Sequence, residues 1–194
     1  MSGYPLEVAN FGRNQLAELI HELDFKVAVE VGVADGTYSE VLMQANPQME
    51  LYGVDPFVPY RGYTDYTRKN TFAGMEQHAH DTLDKYPNYE FIKEFSMDAV
   101  KRFADDSLDF VYLDANHADP YITQDITGWW PKLRRGGIMA GHDWVRTNGS
   151  MGQNVKDATV KFAKDNNLIL FILGTKAIRE GEVRDVSRSW MIIK

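Results

Sequence analysis

Strand-like and helix-like segments alternate along nearly the whole chain, and this alternation constrains the fold more than any other feature. Residues 26–31 read as a buried strand. "MELYGVD" at 49–55, "NYEFIKEF" at 88–95, "SLDFVYLD" at 107–114 and "GGIMAGHD" at 136–143 read as four more. Leu16, Leu19, Ile20 and Leu23 have the i, i+3, i+4, i+7 spacing of one helix face ahead of the first strand. Thr37-Tyr-Ser-Glu40 has the form of a capping box and predicts a helix start. Residues 68–85, "SMDAVKRFA" at 96–104 and residues 120–133 read as further helices, and Val155, Ala158, Phe162 and Ala163 mark another helix face. "LILFILG" and "RSWMIIK" close the chain as two strands. The segment between them, 175–187, is too polar and broken for a crossover helix. A hairpin, with the last strand antiparallel, is expected.

Strands that alternate with helices form a mostly parallel sheet covered on both faces, so the expected class is a doubly wound α/β fold of seven strands. A chain of 194 residues suits one domain, with residues 1–25 as an N-terminal helical segment and 26–194 as the core. No apolar run approaches the roughly 20 residues that span a bilayer. The first residues lack the basic and apolar regions of a secretory signal, so the reading is a cytoplasmic protein with no membrane partner. The absence of cysteine excludes disulfides, thiolate metal sites and a cysteine nucleophile, and a net charge of −7 disfavours nucleic acid as a partner.

In sheets of this kind ligands sit beyond the C-terminal ends of the strands. Glu30, Asp55, Asp114, His142 and Asp143 all fall at such ends. The loop after the first strand, "EVGVADGT", has Gly32 and Gly36, but Ala34 and Thr37 stand where a dinucleotide-binding loop needs its second and third glycines. Asp35 would also oppose a pyrophosphate at the helix N-terminus. Both objections vanish for S-adenosylmethionine, which presents a sulfonium and an ammonium at its reactive end. Glu30 is placed to act near the ammonium, directly or through water, and the two glycines permit close backbone approach. Asp55 follows Gly36 by 19 residues and ends the second strand. An acid there suits a grip on ribose hydroxyls, against the alternative that it caps the turn before Pro56.

These residues resemble the class I S-adenosylmethionine-dependent methyltransferases: E-x-G-x-x-x-G at Glu30, Gly32 and Gly36, then the acid at Asp55. A longer pattern is more specific. Asp114 and His117 form D-x-x-H, Trp129/Trp130-Pro131 a helix carrying W-x-P, and "GGIMAGHD" ends in G-H-D at 141–143. It resembles a group of small-molecule and sugar O-methyltransferases, some of them magnesium-dependent. The resemblance implies a Rossmann-like sheet with an antiparallel last strand, a small-molecule or sugar acceptor, and adenine contacts at Ser96 and Met97, with Asp114 also bordering the cofactor. A homodimer is compatible with it.

Methyl transfer to oxygen needs alignment and a base. His117 and His142 both follow strand ends and are the candidate bases. The resemblance also points to Asp114 and Asp143 as ligands for a divalent cation, magnesium or manganese. His142 stands where relatives have an oxygen ligand. Three arrangements stay open: a softer metal such as manganese, magnesium held by the aspartates alone, or no metal with His142 as base. A non-catalytic S-adenosylmethionine-binding module is the alternative from another class, and transfer to nitrogen or to a macromolecule is the alternative within catalysis. His78 and His80, at i, i+2 on a helix, read as surface residues. The aromatic loop 56–70 reads equally as a lid or acceptor wall or as packing.

Overall fold

The computed structural model describes residues 5–60, 69–144, 152–174 and 187–194. In chain order the elements are β1 (Leu6–Ala9), α1 (Arg13–Glu22), β2 (Val27–Val31), α2 (Thr37–Ala45), β3 (Glu50–Val54), α3 (Lys69–Leu83), β4 (Tyr89–Ile92), α4 (Ser96–Ala99), β5 (Leu108–Leu113), α5 (Tyr121–Trp129), β6 (Leu133–Trp144), α6 (Gly152–Asp165), β7 (Leu170–Gly174) and β8 (Arg188–Ile193). Short 3-10 turns follow α4 and α5.

The strands form one sheet in the order β1-β7-β8-β6-β5-β2-β3-β4. Neighbours pair in parallel except on the two sides of β8, which runs antiparallel to β6 and β7. All seven expected strands are present, and the last is antiparallel as expected. The doubly wound α/β architecture therefore holds. An eighth strand is added by the N-terminal segment, which was expected to be helical: Leu6–Ala9 pairs with β7 before α1 begins. Four mostly exposed residues carry no strand periodicity of their own. The open edge of β7, more than 160 residues away in sequence, supplies their hydrogen-bond partners. Residues 175–186 of the expected hairpin segment 175–187, and residues 61–68 of the aromatic loop, lie outside the described residues. No helix among the described residues is long and apolar enough to cross a membrane.

Period-two alternation divides the core between the two faces of the sheet. Val29, Val31, Val111, Leu113, Met139, Trp190 and Ile192 face one way, against Ile122, Ile126 and Trp129 of α5 and Val155 and Ala163 of α6. Ala28, Phe110, Tyr112, Ile138, Ala140 and Met191 face the other, against Leu16 and Ile20 of α1 and Leu42 and Met43 of α2. Strands buried on both faces read as continuous apolar runs, which is why β5 was legible at once.

The chain reverses its direction of travel between β2 and β5, and this switch point opens the crevice. From β2 the chain moves outward to β3 and β4, and from β5 to β6. The ladder continues past the strand ends. Asp114 N–H donates to Val31 O at 2.8 Å, Gly32 N–H to Val54 O at 2.9 Å, and Asp55 N–H to Ile92 O at 3.2 Å. Three candidate residues are thereby aligned along one edge. Gly32 has φ +97°, and a Cβ there would overlap the carbonyl oxygen of Asp114. Gly36 has φ +82° and packs on α3, with its Cβ position 2.9 Å from Leu83 Cδ1 and 3.2 Å from Ala79 Cα. Its freedom serves the α2–α3 contact.

α2 starts at Thr37 as the capping box predicts, but Gly36 is the N-cap. The cap acceptor is Asp35, whose Oδ1 takes hydrogen bonds from Thr37 N–H at 3.1 Å and Thr37 Oγ1 at 2.7 Å.

Gly32→Ala combines a left-handed backbone conformation with a clash against backbone that has nowhere to move. It is expected to cost at least about 2 kcal/mol of unfolding free energy, measured by urea denaturation. A loss under half that would show that the β2–α2 loop can be rebuilt.

Candidate active site

The strand ends border a cavity of about 310 Å³. Gly32, Asp55, Ser96, Met97 and Asp114 of the candidate set line it, with aromatic walls from Phe57, Tyr60, Phe95 and Tyr121. Glu30 and Gly36 are not among its lining residues.

Asp55 closes the loop below the cavity. Its Oδ2 accepts the N–H groups of Val33 and Ala34, each at 3.1 Å, and its Oδ1 accepts Phe57 N–H at 2.8 Å. The turn-capping reading of Asp55 is thus realised. Burial pushes its carboxyl up, against the three backbone donors that favour the anion.

Glu30 is 1% exposed and accepts the hydroxyl of Ser39 on α2, which also lies 3.1 Å from Tyr89 OH. Burial pushes its carboxyl up to about 8. The Ser39 bond and the Arg13 charge oppose this, while the charges of Asp114 and Asp55 add to it. Glu30 is held behind the loop by α2 and β4.

Beside the cavity, Asp114 joins a second group. His117 Nε2 lies 3.4 Å from Asp114 Oδ1 and 3.2 Å from Asp143 Oδ2, and His142 Nδ1 lies 3.2 Å from the same Asp143 oxygen. Both histidines and both aspartates are therefore brought together. Consecutive residues of a flat strand point to opposite faces, so His142 and Asp143 would ordinarily diverge. Here the β6–β8 register shifts between Gly141 and Trp144, and Asp143 has φ +56°. The irregularity turns both side chains into one cluster. Burial raises the Asp143 carboxyl, but the His142 hydrogen bond, the charges of both histidines and a Ser187 hydrogen bond outweigh it and hold the group well below the usual carboxylate range.

Asp114, His117 and Asp143 each offer a ligand atom within 4.8 Å of the others, so they form a candidate cation site. The sequence pairing of Asp114 with His142-Asp143 is changed in one respect: His117 takes the third place, and His142 Nδ1 is 4.0 Å from Asp114.

Two members were not singled out from sequence. Arg13 places a guanidinium nitrogen 4.0 Å from Asp114 Oδ2, while its guanidinium also sits over the Tyr38 ring. Only the packing of α1 on the sheet reveals this. Asp125 lines the cavity and is 5% exposed. It had a legible signal, because Ile122, Asp125, Ile126 and Trp129 share the buried face of α5. An acid in an apolar helix face marks a buried carboxyl. His78 and His80 remain on the surface, with ring nitrogens 2.9 Å from Asp35 O and 3.0 Å from Asp84 Oδ1.

A family model described as a methyltransferase domain matches residues 29–144. No curated protein sequence matches the chain. Similar solved structures include an O-methyltransferase from Bacillus cereus in complex with SAH, at 12% identity over 94% of this chain and 80% of that one, with TM-score 0.67. The SAH-bound methyltransferase PaMTH1 of Podospora anserina aligns at 14% identity over 93% of this chain and 77% of that one, with TM-score 0.64. The O-methyltransferase TomG of Streptomyces achromogenes, described as involved in tomaymycin synthesis and in complex with SAM, aligns at 14% identity over 93% and 78%, with TM-score 0.64. At these identities the likeness establishes the fold.

Glu30 generates a prediction about pH. Its carboxyl rises from 4.5 to about 8 on folding, so in that window the folded chain keeps a proton that the unfolded chain releases. Stability contributed by this group is present below pH 4.5 and lost as pH climbs to about 8. Glu30→Gln retains an acceptor for Ser39 and removes the ionisation. Urea denaturation at several pH values is expected to show a flatter decline for the variant, and an unchanged slope would assign the decline to other groups.

Proposed function

The chain belongs to the methyltransferase-domain family, and from that premise we propose that it transfers a methyl group from S-adenosylmethionine to an oxygen of a small molecule or sugar, acting as a single domain. The observation that carries this reading is the shared position of Asp114, which lines the cavity and also belongs to the His117–Asp143–His142 cluster. A ligand site and a proton-handling, cation-binding group are joined by one residue.

The residues present fit the cofactor. The cavity is of small-molecule size, with apolar walls and few polar groups. Gly32 is among the residues that line it, its backbone packed closely on that of Asp114. Gly32, Asp55, Ser96, Met97 and Asp114 are the residues that would hold the cofactor. When bound, S-adenosylmethionine supplies an electrophilic methyl group. Asp55 Oδ1 accepts one backbone N–H in this structure and retains acceptor capacity for a ribose hydroxyl. Glu30 and Gly36 act indirectly, by holding α2 and the loop in place.

His142 is the base in this reading. Asp143 accepts from its Nδ1 side and stays anionic, which orients the ring and stabilises the imidazolium once the acceptor proton is taken. His117, set between two carboxylates, is the third ligand of a cation site with Asp114 and Asp143. Two oxygens and one nitrogen favour manganese over magnesium, which prefers oxygen ligands alone. Such a cation would supply positive charge for a developing oxyanion.

Binding, transfer and variant measurements test this. Calorimetric titration is expected to show binding of S-adenosylmethionine and S-adenosylhomocysteine and none of NAD. The reverse pattern would remove the assignment. Labelled methyl transfer to a panel of hydroxylated small molecules and sugars separates an enzyme from a binding module. Binding with no transfer to any acceptor favours the module.

Once an acceptor is found, His142→Ala is expected to lower kcat by about 10²- to 10⁴-fold with S-adenosylhomocysteine affinity preserved. His117→Ala is expected to alter the response to chelator and added manganese. Full activity of the wild type in excess chelator would eliminate the cation and leave the histidines to move the proton alone.

A further inference from the structure

One wall of the cavity, residues 57–60, is a short stretch of chain anchored at its two ends. Phe57 is 5% exposed and packs with Val33, Ala79 and Leu83, its ring 6.3 Å from that of Phe91 on β4. Asp55 Oδ1 accepts its N–H at 2.8 Å. Tyr60 is held on the other side. Its ring meets Phe95, just before α4, edge-on at 5.3 Å, and Tyr121, the first residue of α5, at 6.0 Å. Its hydroxyl hydrogen-bonds the Asn116 side chain. All five of these residues, Phe57, Tyr60, Phe95, Asn116 and Tyr121, line the cavity. The segment therefore crosses it, from the β3–β4 side to the ends of α4 and α5.

The two anchors differ in kind. Phe57 belongs to an apolar core cluster built with α3. Among the described residues, the core clusters include none of Tyr60, Phe95 and Tyr121. Phe95 is 45% exposed, so the seam where Tyr60 meets it reaches solvent. Val58 and Pro59, between the anchors, are exposed as well. Parting Tyr60 from its partners thus disrupts one hydrogen bond and two ring contacts and leaves the core packed. Segments with few buried contacts are those that open at least cost. Pro56 and Pro59 each fix their own φ, so the turning falls to Phe57 and Val58. Phe57 already carries a turn, at φ +49°.

We propose that residues 57–60 form a lid over the cavity, hinged at Phe57 and latched by Tyr60, and that the cofactor enters and leaves by release of this latch. The inference rests on the methyltransferase reading and deepens it. A lid of this kind holds the ligand away from water once closed, and its latch contacts are the same with the cavity empty or filled. Weakening the latch then favours the open form in both states by the same factor.

The test follows S-adenosylhomocysteine binding by stopped-flow intrinsic fluorescence. Tyr60→Ala removes the hydrogen bond and both ring contacts. It is expected to raise the association and dissociation rates together, each by about 10- to 100-fold, with Kd changed by less than about 3-fold. Tyr60→Phe keeps the ring and loses only the bond to Asn116. Both of its rates are expected to rise by about 2- to 10-fold. Because the ring and its packing are retained, this variant keeps the test independent of any loss of folding by the alanine variant.

A faster dissociation with an unchanged association rate would overturn the proposal, since that is the signature of a fixed wall that merely touches the ligand. Two unchanged rates in both variants would overturn it equally, because Tyr60 would then latch nothing. Failure of the wild type to bind S-adenosylhomocysteine at all would instead overturn the cofactor reading itself, and this inference with it.

Discussion

The close approach of the Gly32 backbone to the carbonyl of Asp114 is the contact on which the site depends. It is possible only without a side chain at residue 32, and it occurs where the parallel ladder of β2 and β5 continues one residue past the strands. That extra step carries the chain of residue 114 to the cavity edge and turns the β2–α2 loop over the end of β3. Asp55 then ties the loop down through three backbone N–H groups. The parallel sheet supplies the register and the glycine supplies the clearance.

The site gathers more acid than the chain's neutral core tolerates unaided. Glu30, Asp55, Asp114, Asp125 and Asp143 converge from five different segments, and each is handled differently. Asp143 stays ionised because two histidines face it, and Asp114 shares its oxygens between His117 and Arg13. Asp55 is satisfied by backbone. Glu30 and Asp125, each bonded to one serine hydroxyl, have raised carboxyl values because burial dominates. Environment thus separates Asp143, held ionised, from the buried Glu30 and Asp125, whose carboxyls are pushed up.

Much of this was legible in the sequence. The apolar runs of β2, β5 and β6 declared a sheet buried on both faces, and the acids and histidines at their ends declared a site at one edge. The D-x-x-H and G-H-D patterns placed His117 and His142 near one another in advance. Which ring lies between the two carboxylates was not legible, because it depends on the irregularity at 142–143 that brings successive side chains to one side. The capping box found the start of α2 but put Thr37 at the N-cap; Gly36, in a left-handed conformation, takes that place, Thr37 becomes the first helical residue, and Asp35 supplies the cap acceptor.

The sequence by itself determined the alternation of strands and helices, the order of the elements that carry chemistry, and the residue types at the strand ends, because hydrophobic period and glycine spacing are local properties. Tertiary structure decided the rest. β1 became a strand because β7 offered an unpaired edge, Arg13 reached Asp114 because α1 packs over the sheet, and Asp125 joined the cavity because α5 turns its buried face toward Ser96. In each case the deciding partner lies far away in the chain, and its hydrogen bond or charge exists only once the sheet has formed.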